Sequence, residues 1–148
     1  MLTKIISGAQ TGGDRAGLDA ALLLGLQVGG WVPKGCRTDE GPLTSAQMTL
    51  YGLKEHPSYA YPPRTEQNVR ESDGTVLFGD MSSPGCRLTI RLCKMHGQPF
   101  LANPTPDVLR SFVLGNAIKV LNVAGNRERV NPGIYATTYA TIVEAFRA

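Results

Sequence analysis

The sequence is short of the residues from which membrane spans, disulfide frameworks and zinc sites are built. No apolar run approaches the ~20 residues that a membrane-spanning helix needs, so we expect no membrane partner. The three cysteines, Cys36, Cys86 and Cys93, are odd in number and form no C-x-x-C pair, and the two histidines stand far apart. We therefore expect neither a disulfide framework nor a metal held by the protein.

A strong charge imbalance is also missing. The formal net charge is +3 at pH 7, and the 15 lysines and arginines are scattered along the chain. A nucleic-acid-binding domain more often carries a basic stripe with interleaved aromatic residues, so nucleic acid is not an expected partner. A small anionic ligand is compatible with this charge. The first residues, MLTKIISG, lack the positively charged region and the following apolar region of a secretion signal, so we expect a cytoplasmic location.

Short apolar runs and longer helical patterns alternate along the chain. Its 148 residues, 42% hydrophobic and 18% charged, suit one globular domain. Short apolar runs alternating with helical patterns predict a single-domain Rossmann-like α/β fold, in which helices cover both faces of a parallel sheet. The predicted strands are Lys4–Ser7, Val28–Val32, Thr75–Gly79, Phe100–Ala102 and Lys119–Val123. The predicted helices are Asp14–Leu24, Thr65–Ser72, about Pro84–His96, one capped by Thr105 that reaches about Leu114, and one opened by Asn131 that reaches about Arg147.

One segment, residues 33–64, interrupts this alternation. It is rich in glycine, proline, serine and tyrosine, and segments of that length without clear structure are often functional. We expect a long loop over the ligand-binding edge of the sheet. Two alternatives stay open for its polar side chains: closure over a ligand, or a surface loop held by salt bridges. Its tyrosines either stack on a planar heterocycle or pack the loop onto its own domain.

The segment after the first strand carries the first candidate site, since ligands of doubly wound sheets bind beyond the carboxyl ends of the strands. It reads SGAQTGGDRAGLDAALLLG from Ser7 to Gly25. Its glycines let backbone N–H groups approach an anion at the start of a helix. A Walker A loop is excluded because Asp14 and Arg15 stand where lysine and Ser/Thr are needed. The alternative is a tight turn that Asp14 closes as the helix N-cap.

The segment Leu77–Thr89 carries the second candidate site. Ser83, Gly85 and Cys86 stand where another helix is predicted to begin, at the same edge of the sheet. Cys86 is either a thiol whose pKa the helix N-terminus lowers or a small apolar residue packed in the core.

The segment Val120–Glu128 carries the third candidate site. Asn122 and Gly125 belong to a strand end, where an amide donor and a turn residue suit a ligand loop. Arg127 follows them, and an arginine in that position either binds phosphate or carboxylate or remains solvated.

Four stretches together resemble the putative molybdenum carrier family, which belongs to the superfamily that includes lysine-decarboxylase-like phosphoribohydrolases. They are SGAQTGGDRAGLDAAL, GGWVPKGCRTDEGPL, RTEQNVRESDGTVLF and VLNVAGNRERVNPGIY. The resemblance implies a parallel α/β sheet, a homo-oligomer and a nucleotide-like or pterin-like phosphorylated ligand, with molybdenum cofactor as the candidate cargo. The ligand residues that it implies by position are Gly8, Gln10, Thr11, Gly12, Gly13, Asp14, Arg15, Lys34, Gly35, Asn122 and Gly125.

The chain departs from the family pattern after the central strand. The family tends to show S-G-G-T-x-L-T, whereas Ser83 to Thr89 reads SPGCRLT, and Pro84 removes one backbone donor. The glutamate of the phosphoribohydrolase motif P-G-G-x-G-T-x-x-E is also missing. Cleavage of an N-glycosidic bond needs a carboxylate. The acids that would have to supply it are Asp14, Asp39, Glu40 and Asp73, although Asp73 precedes its strand and so lies at the wrong edge.

Three functions stay open at this point. The first is a binding or carrier protein for a phosphorylated small molecule, which we favour because no nucleophile, metal site or base is evident. The second is a nucleotide-processing hydrolase that cleaves an N-glycosidic bond. The third is a ligand-sensing module with a protein partner.

Overall fold

The structure, a computed structural model that describes residues 1–148, contains six strands and six helices. The strands are β1 (Lys4–Ile6), β2 (Gln27–Val32), β3 (Leu53–Glu55), β4 (Gly74–Phe78), β5 (Phe100–Ala102) and β6 (Val120–Gly125). The helices are α1 (Gly13–Leu24), α2 (Ser45–Leu50), α3 (Tyr61–Arg70), α4 (Pro84–Met95), α5 (Pro106–Gly115) and α6 (Ile134–Phe146). None of the helices combines the length and the apolar character that crossing a membrane requires.

All six strands lie parallel in one sheet, in the order β3-β2-β1-β6-β4-β5. The chain first builds outward from β1 to β3 and then builds the other half from β4 to β5, with β6 inserted between β1 and β4. The strand order therefore reverses around β6, which is where sheets of this kind bind ligands. The predicted Rossmann-like α/β fold is confirmed, and the carboxyl ends of β1, β6 and β4 are neighbours.

Burial on both faces explains why the central strands are mostly apolar. Every residue of β4 is buried, and its Val76 and Phe78 join one core cluster with residues of α1, α5 and α6. A separate cluster joins Val69 of α3 to Leu92 and Cys93 of α4. Helices thus cover both faces of the sheet, which keeps the strand ends at its carboxyl edge in fixed positions.

The predicted long loop at residues 33–64 is wrong, because the segment contains α2, β3 and the start of α3. A capping box begins α2: the Thr44 hydroxyl accepts the N–H of Gln47, and the Gln47 side chain accepts the N–H of Thr44. Pairing with β2 fixes β3 at the sheet edge. Helix α3 begins at Tyr61 rather than Thr65, since Pro62 and Pro63 occupy the first turn, where no intrahelical N–H bond is lost.

Two predicted helix starts also need correction. Gly12 caps α1, so Asp14 lies in the first turn of the helix and is not its N-cap. Helix α6 begins after Gly133, whose φ of 94° is left-handed, and not at Asn131. Asp73 lies at the amino edge of the sheet, as its position before β4 predicts: its carboxylate accepts backbone N–H groups there, including that of Val120 at 2.9 Å.

Candidate functional site

The segments that follow β1, β4 and β6 meet over one cavity of about 320 Å³. Predicted residues from all three segments line it, namely Gly8, Gln10, Asp14, Gly85, Cys86, Asn122, Gly125 and Arg127. Three others line a second cavity of about 670 Å³, namely Thr11, Gly12 and Arg15. The remaining predicted residues, Gly13, Lys34, Gly35 and Ser83, line neither of these two cavities.

A single buried residue, Asn126, is hydrogen-bonded to the other two segments through its backbone and its side chain. Its backbone carbonyl oxygen accepts the N–H of Gly13 at the start of α1 (3.1 Å). Its amide nitrogen donates to the Ser83 hydroxyl before α4 (3.0 Å), and its amide oxygen accepts the N–H of Asp80 (2.7 Å). A Cβ atom at Gly79, where φ is 120°, would lie 2.1 Å from that amide oxygen, so only glycine fits there. Asn126 therefore fixes where α1 and α4 begin relative to each other.

Helix α4 points its N-terminus into the cavity. The first backbone bond that closes around its start runs from the N–H of Arg87 to the carbonyl of Ser83 (2.9 Å). The N–H groups of Gly85 and Cys86 make no hydrogen bond within the chain, and both residues line the cavity. Free N–H groups at the positive end of a helix dipole attract an anion. Pro84 therefore leaves two donors in place.

Arg64 of α3 is a site residue that the sequence analysis missed. It is 7% exposed and lines the cavity, and its Nη1 donates to the carbonyl oxygen of Gly8 at 2.7 Å. Its Nε is buried without a hydrogen-bond partner. The sequence does indicate that Arg64 belongs with Asn68, because the two residues are four positions apart and so lie on one face of a helix. Both are buried on the inward face of α3.

Gln10 lines the same cavity and holds a second donor without a partner. Its Oε1 accepts the N–H of Thr11 (3.0 Å) and the N–H of Asp39 (2.9 Å), which orients the amide. Its Nε2 is buried and has no partner. A buried N–H group left without an acceptor costs about 1–3 kcal/mol. Gln10 and Arg64 both line this cavity, and each holds a buried N–H group without an acceptor. A ligand that supplies acceptor oxygens is therefore chemically suited to the cavity.

Asp14 is the carboxylate in the wall of this cavity. Burial raises its pKa from 3.8 to about 6, against the opposing effects of Arg64, Arg15 and Arg127 and of the hydrogen bond from the N–H of Gln10. Asp14 can therefore hold or release a proton near neutral pH, beside the unpartnered donors.

The second cavity differs, because two of its carboxylates already have partners and neither of the unpartnered buried donors, Gln10 Nε2 and Arg64 Nε, belongs to a residue that lines it. Asp39 forms ion pairs with Arg127 (3.0 Å) and with Arg129 (3.4 Å). Asp19 accepts hydrogen bonds from the hydroxyls of Tyr51 and Tyr135. No cluster of three or more histidine, cysteine or carboxylate side chains could hold a metal ion. The first cavity, with its unpartnered donors, is therefore the candidate functional site.

Other predicted residues have contacts that hold the fold. Arg15 donates to the carbonyl of Ala9 through Nη2 (3.0 Å), which braces the loop after β1. Gly35 donates its N–H to Glu55 (2.7 Å).

The idea that the helix lowers the pKa of Cys86 is wrong, because burial raises the pKa of this thiol. Cys86 therefore has the other role considered, that of a small packed residue.

The comparisons with known proteins agree with this architecture. The sequence matches the circularly permutated YpsA SLOG family over residues 5–146. The crystal structure of a putative molybdenum carrier protein from Syntrophus aciditrophicus SB superposes with a TM-score of 0.88 and is 36% identical in sequence. That match covers 99% of this chain and 96% of the other. The chain matches no curated protein.

The raised pKa of Asp14 predicts that folding stability depends on pH. Because the folded-state pKa of about 6 exceeds the ordinary value of 3.8, the stabilising effect is complete below about pH 4 and is lost as pH rises through 6. As the pH rises between those limits, the free energy of unfolding of the wild type should fall by up to about 3 kcal/mol relative to that of Asp14→Asn. Urea denaturation at several pH values measures this. Asp107→Asn, which changes an exposed carboxylate, is the control, and an identical pH profile for all three proteins would contradict the prediction.

Proposed function

Since the chain belongs to the circularly permutated YpsA SLOG family, we propose that it is a binding or carrier protein for a phosphorylated small molecule. The observation that carries this proposal is the pair of buried, unpartnered donors, Gln10 Nε2 and Arg64 Nε, on two residues that line one cavity. A phosphate group supplies the acceptor oxygens that both donors lack. The ligand lies beyond the carboxyl ends of β1, β4 and β6.

Charge and geometry both favour phosphate over a neutral acceptor. Arg64 forms no ion pair with any carboxylate, although it is buried. The N–H groups of Gly85 and Cys86 add the positive end of the α4 dipole to the same cavity. Charge-assisted bonds from a guanidinium and from helix N–H groups are the usual way in which proteins hold a phosphate.

Molybdenum cofactor is the candidate ligand that the relative's name suggests for this site. Its terminal phosphate matches the donors of Arg64 and Gln10. Its planar pterin matches the apolar part of the wall, which Tyr61, Pro62 and Leu88 form. A cavity of about 320 Å³ lies within the size range of small-molecule sites. The molybdenum would arrive on the cofactor's own dithiolene, so the cavity wall needs no metal ligands.

Replacement of Arg64 tests the proposal. Arg64→Met keeps the length of the side chain and removes its donors and charge, so the affinity for inorganic phosphate should fall by about tenfold or more. Arg70→Met, on the exposed end of the same helix, is the matched control and should bind phosphate as the wild type does. Isothermal titration calorimetry measures both.

A second variant keeps this test decisive if Arg64→Met folds poorly. Gln10→Glu preserves the acceptor for Thr11 and Asp39 while replacing the free donor with a negative charge, so it should also weaken phosphate binding. Wild-type affinity in both folded variants would show that phosphate does not bind in this cavity.

The position of Asp14 favours a second candidate function, hydrolysis of an N-glycosidic bond. Water attacks the sugar carbon as the carbon–nitrogen bond breaks, and the departing base takes up a proton. A carboxyl group with a pKa of about 6 can accept the proton from water or donate one to the base, and Asp14 lines the proposed binding cavity. It would take the place of the glutamate that the sequence lacks after Thr89.

Chromatography of reaction mixtures tests this second candidate. The protein is incubated with each common nucleoside monophosphate, and release of the free base is followed over hours. A hydrolase that uses Asp14 releases base, and Asp14→Asn abolishes the release while phosphate binding persists. If the wild type binds the nucleotides and releases no base, the binding function stands and the hydrolase is excluded for these substrates.

A further inference from the structure

A carboxyl group stands among the donors of the candidate site. Asp14 lines the cavity together with Gln10 and Arg64, each of which holds a buried N–H group without an acceptor. Asp14 and Arg64 also approach the same bare backbone. A Cβ atom at Gly8 would lie 3.1 Å from Asp14 Oδ2 and 1.8 Å from Arg64 Nη1. An anion that contacts Arg64 in this cavity is therefore brought close to the Asp14 carboxyl group as well.

The cations of the cavity wall do not balance both an ionised Asp14 and a bound phosphate. The other charged side chains that line the cavity are Arg64 and Arg127, and Arg127 is already paired with Asp39 at 3.0 Å. Asp14 forms no ion pair, and its carboxylate accepts one long hydrogen bond, from the N–H of Gln10 at 3.4 Å. When two negative groups share a site, one of them binds a proton more readily.

Asp14 can supply or accept that proton near neutral pH. Burial raises its pKa to about 6, against the opposing charges of Arg64 on α3, Arg15 on α1 and Arg127 after β6. No histidine lines the cavity, and burial raises the pKa of the Cys86 thiol on α4. The second ionisation of a phosphate monoester also has a pKa of about 6. The carboxyl group and the phosphate would therefore compete for one proton on nearly equal terms.

We propose that Asp14 and the bound phosphate share one proton, held in a hydrogen bond between a carboxyl oxygen and a phosphate oxygen. This inference rests on the proposed function and narrows the class of ligand. Asp14 is then a specificity-determining residue: it favours an oxyanion that brings a proton, such as hydrogen phosphate, over sulfate, which has none to donate. Sulfate binds when Asp14 is itself protonated, and the carboxyl O–H is then the donor.

Isothermal titration calorimetry with inorganic phosphate and sulfate at about pH 8 tests this inference. Both are tetrahedral dianions at that pH, and only hydrogen phosphate carries a proton. The wild type should bind phosphate at least about tenfold more tightly than sulfate, because the pH lies well above the Asp14 pKa of about 6. Asp14→Asn, whose amide offers both a donor and an acceptor, should bring the two affinities to within about threefold of each other. Asp107→Asn, at an exposed carboxylate on α5, is the matched control and should keep the preference.

The pH dependence of sulfate binding gives a second readout, which the wild type supplies even if Asp14→Asn folds poorly. Its affinity for sulfate should be constant below about pH 5 and should fall by about tenfold for each unit above pH 6. At about pH 8 each sulfate should bind with uptake of about one proton, measured by calorimetry in buffers that differ in ionisation enthalpy. Asp14→Asn should show neither the pH dependence nor the uptake.

The outcomes separate this inference from the proposed function. If the wild type binds phosphate and sulfate equally at about pH 8, or binds sulfate without proton uptake, the shared proton is overturned and the binding function stands. If Asp14→Asn keeps the full preference for phosphate, Asp14 is not the residue responsible and the inference is likewise overturned. If neither anion binds to the wild type at any pH tested, both the inference and the proposed function fail.

Discussion

The hydrogen bonds of Asn126 hold together the loops on which the candidate site is built. Through its backbone and side chain this buried residue joins the start of α1, the turn after β4 and the residue before α4. Loops at the edge of a sheet would otherwise move independently, because few apolar contacts hold them. Joined in this way, they bring the α4 N-terminus, Gln10 and Asp14 to one cavity. Removing the side-chain amide would leave the N–H of Asp80 and the hydroxyl of Ser83 without this partner, both on the segment between β4 and α4.

Arg64 gives this cavity its chemical character. Burial of a charged group is costly unless it is paired, and here the guanidinium has a carbonyl oxygen, the face of Tyr61 and a partly protonated carboxyl nearby. These contacts leave its Nε free. The charge is therefore retained where an anionic ligand would complete its hydrogen bonds. The same burial raises the pKa of Asp14, while the positive charge of Arg64 opposes that rise. The negative charge of Asp14 in turn opposes the fall that burial causes in the pKa of Arg64, so each group favours the charged form of the other.

The sequence predicts the central part of the fold well, because burial on both faces of the sheet requires mostly apolar residues in the inner strands. The strand at Phe100–Ala102 and the helix that begins after Thr105 have the predicted positions. Residues 33–64 could not be assigned in this way. Helix α2 buries none of its residues, and two of the three residues of β3 are exposed, so neither element leaves an apolar period.

The site was predictable to a similar extent. Glycine-rich and amide-rich segments after strands identified the junctions, and most of the predicted residues from them line one of the two cavities. Arg64 was missed because it contacts Gly8 across 56 positions of sequence, from a helix that was placed four residues too late. Its contribution depends on tertiary packing. Homo-oligomerisation and a cytoplasmic location stay predictions.

Native mass spectrometry of the freshly purified chain, followed by denaturing analysis of what it releases, tests the central claim most directly. We expect a mass above that of the polypeptide, loss of the excess on denaturation and a released molecule that contains phosphate. Arg64→Met should carry less of it. A native mass equal to that of the bare chain, unchanged after incubation with phosphate and pyrophosphate, would contradict the claim that this cavity binds a phosphorylated ligand.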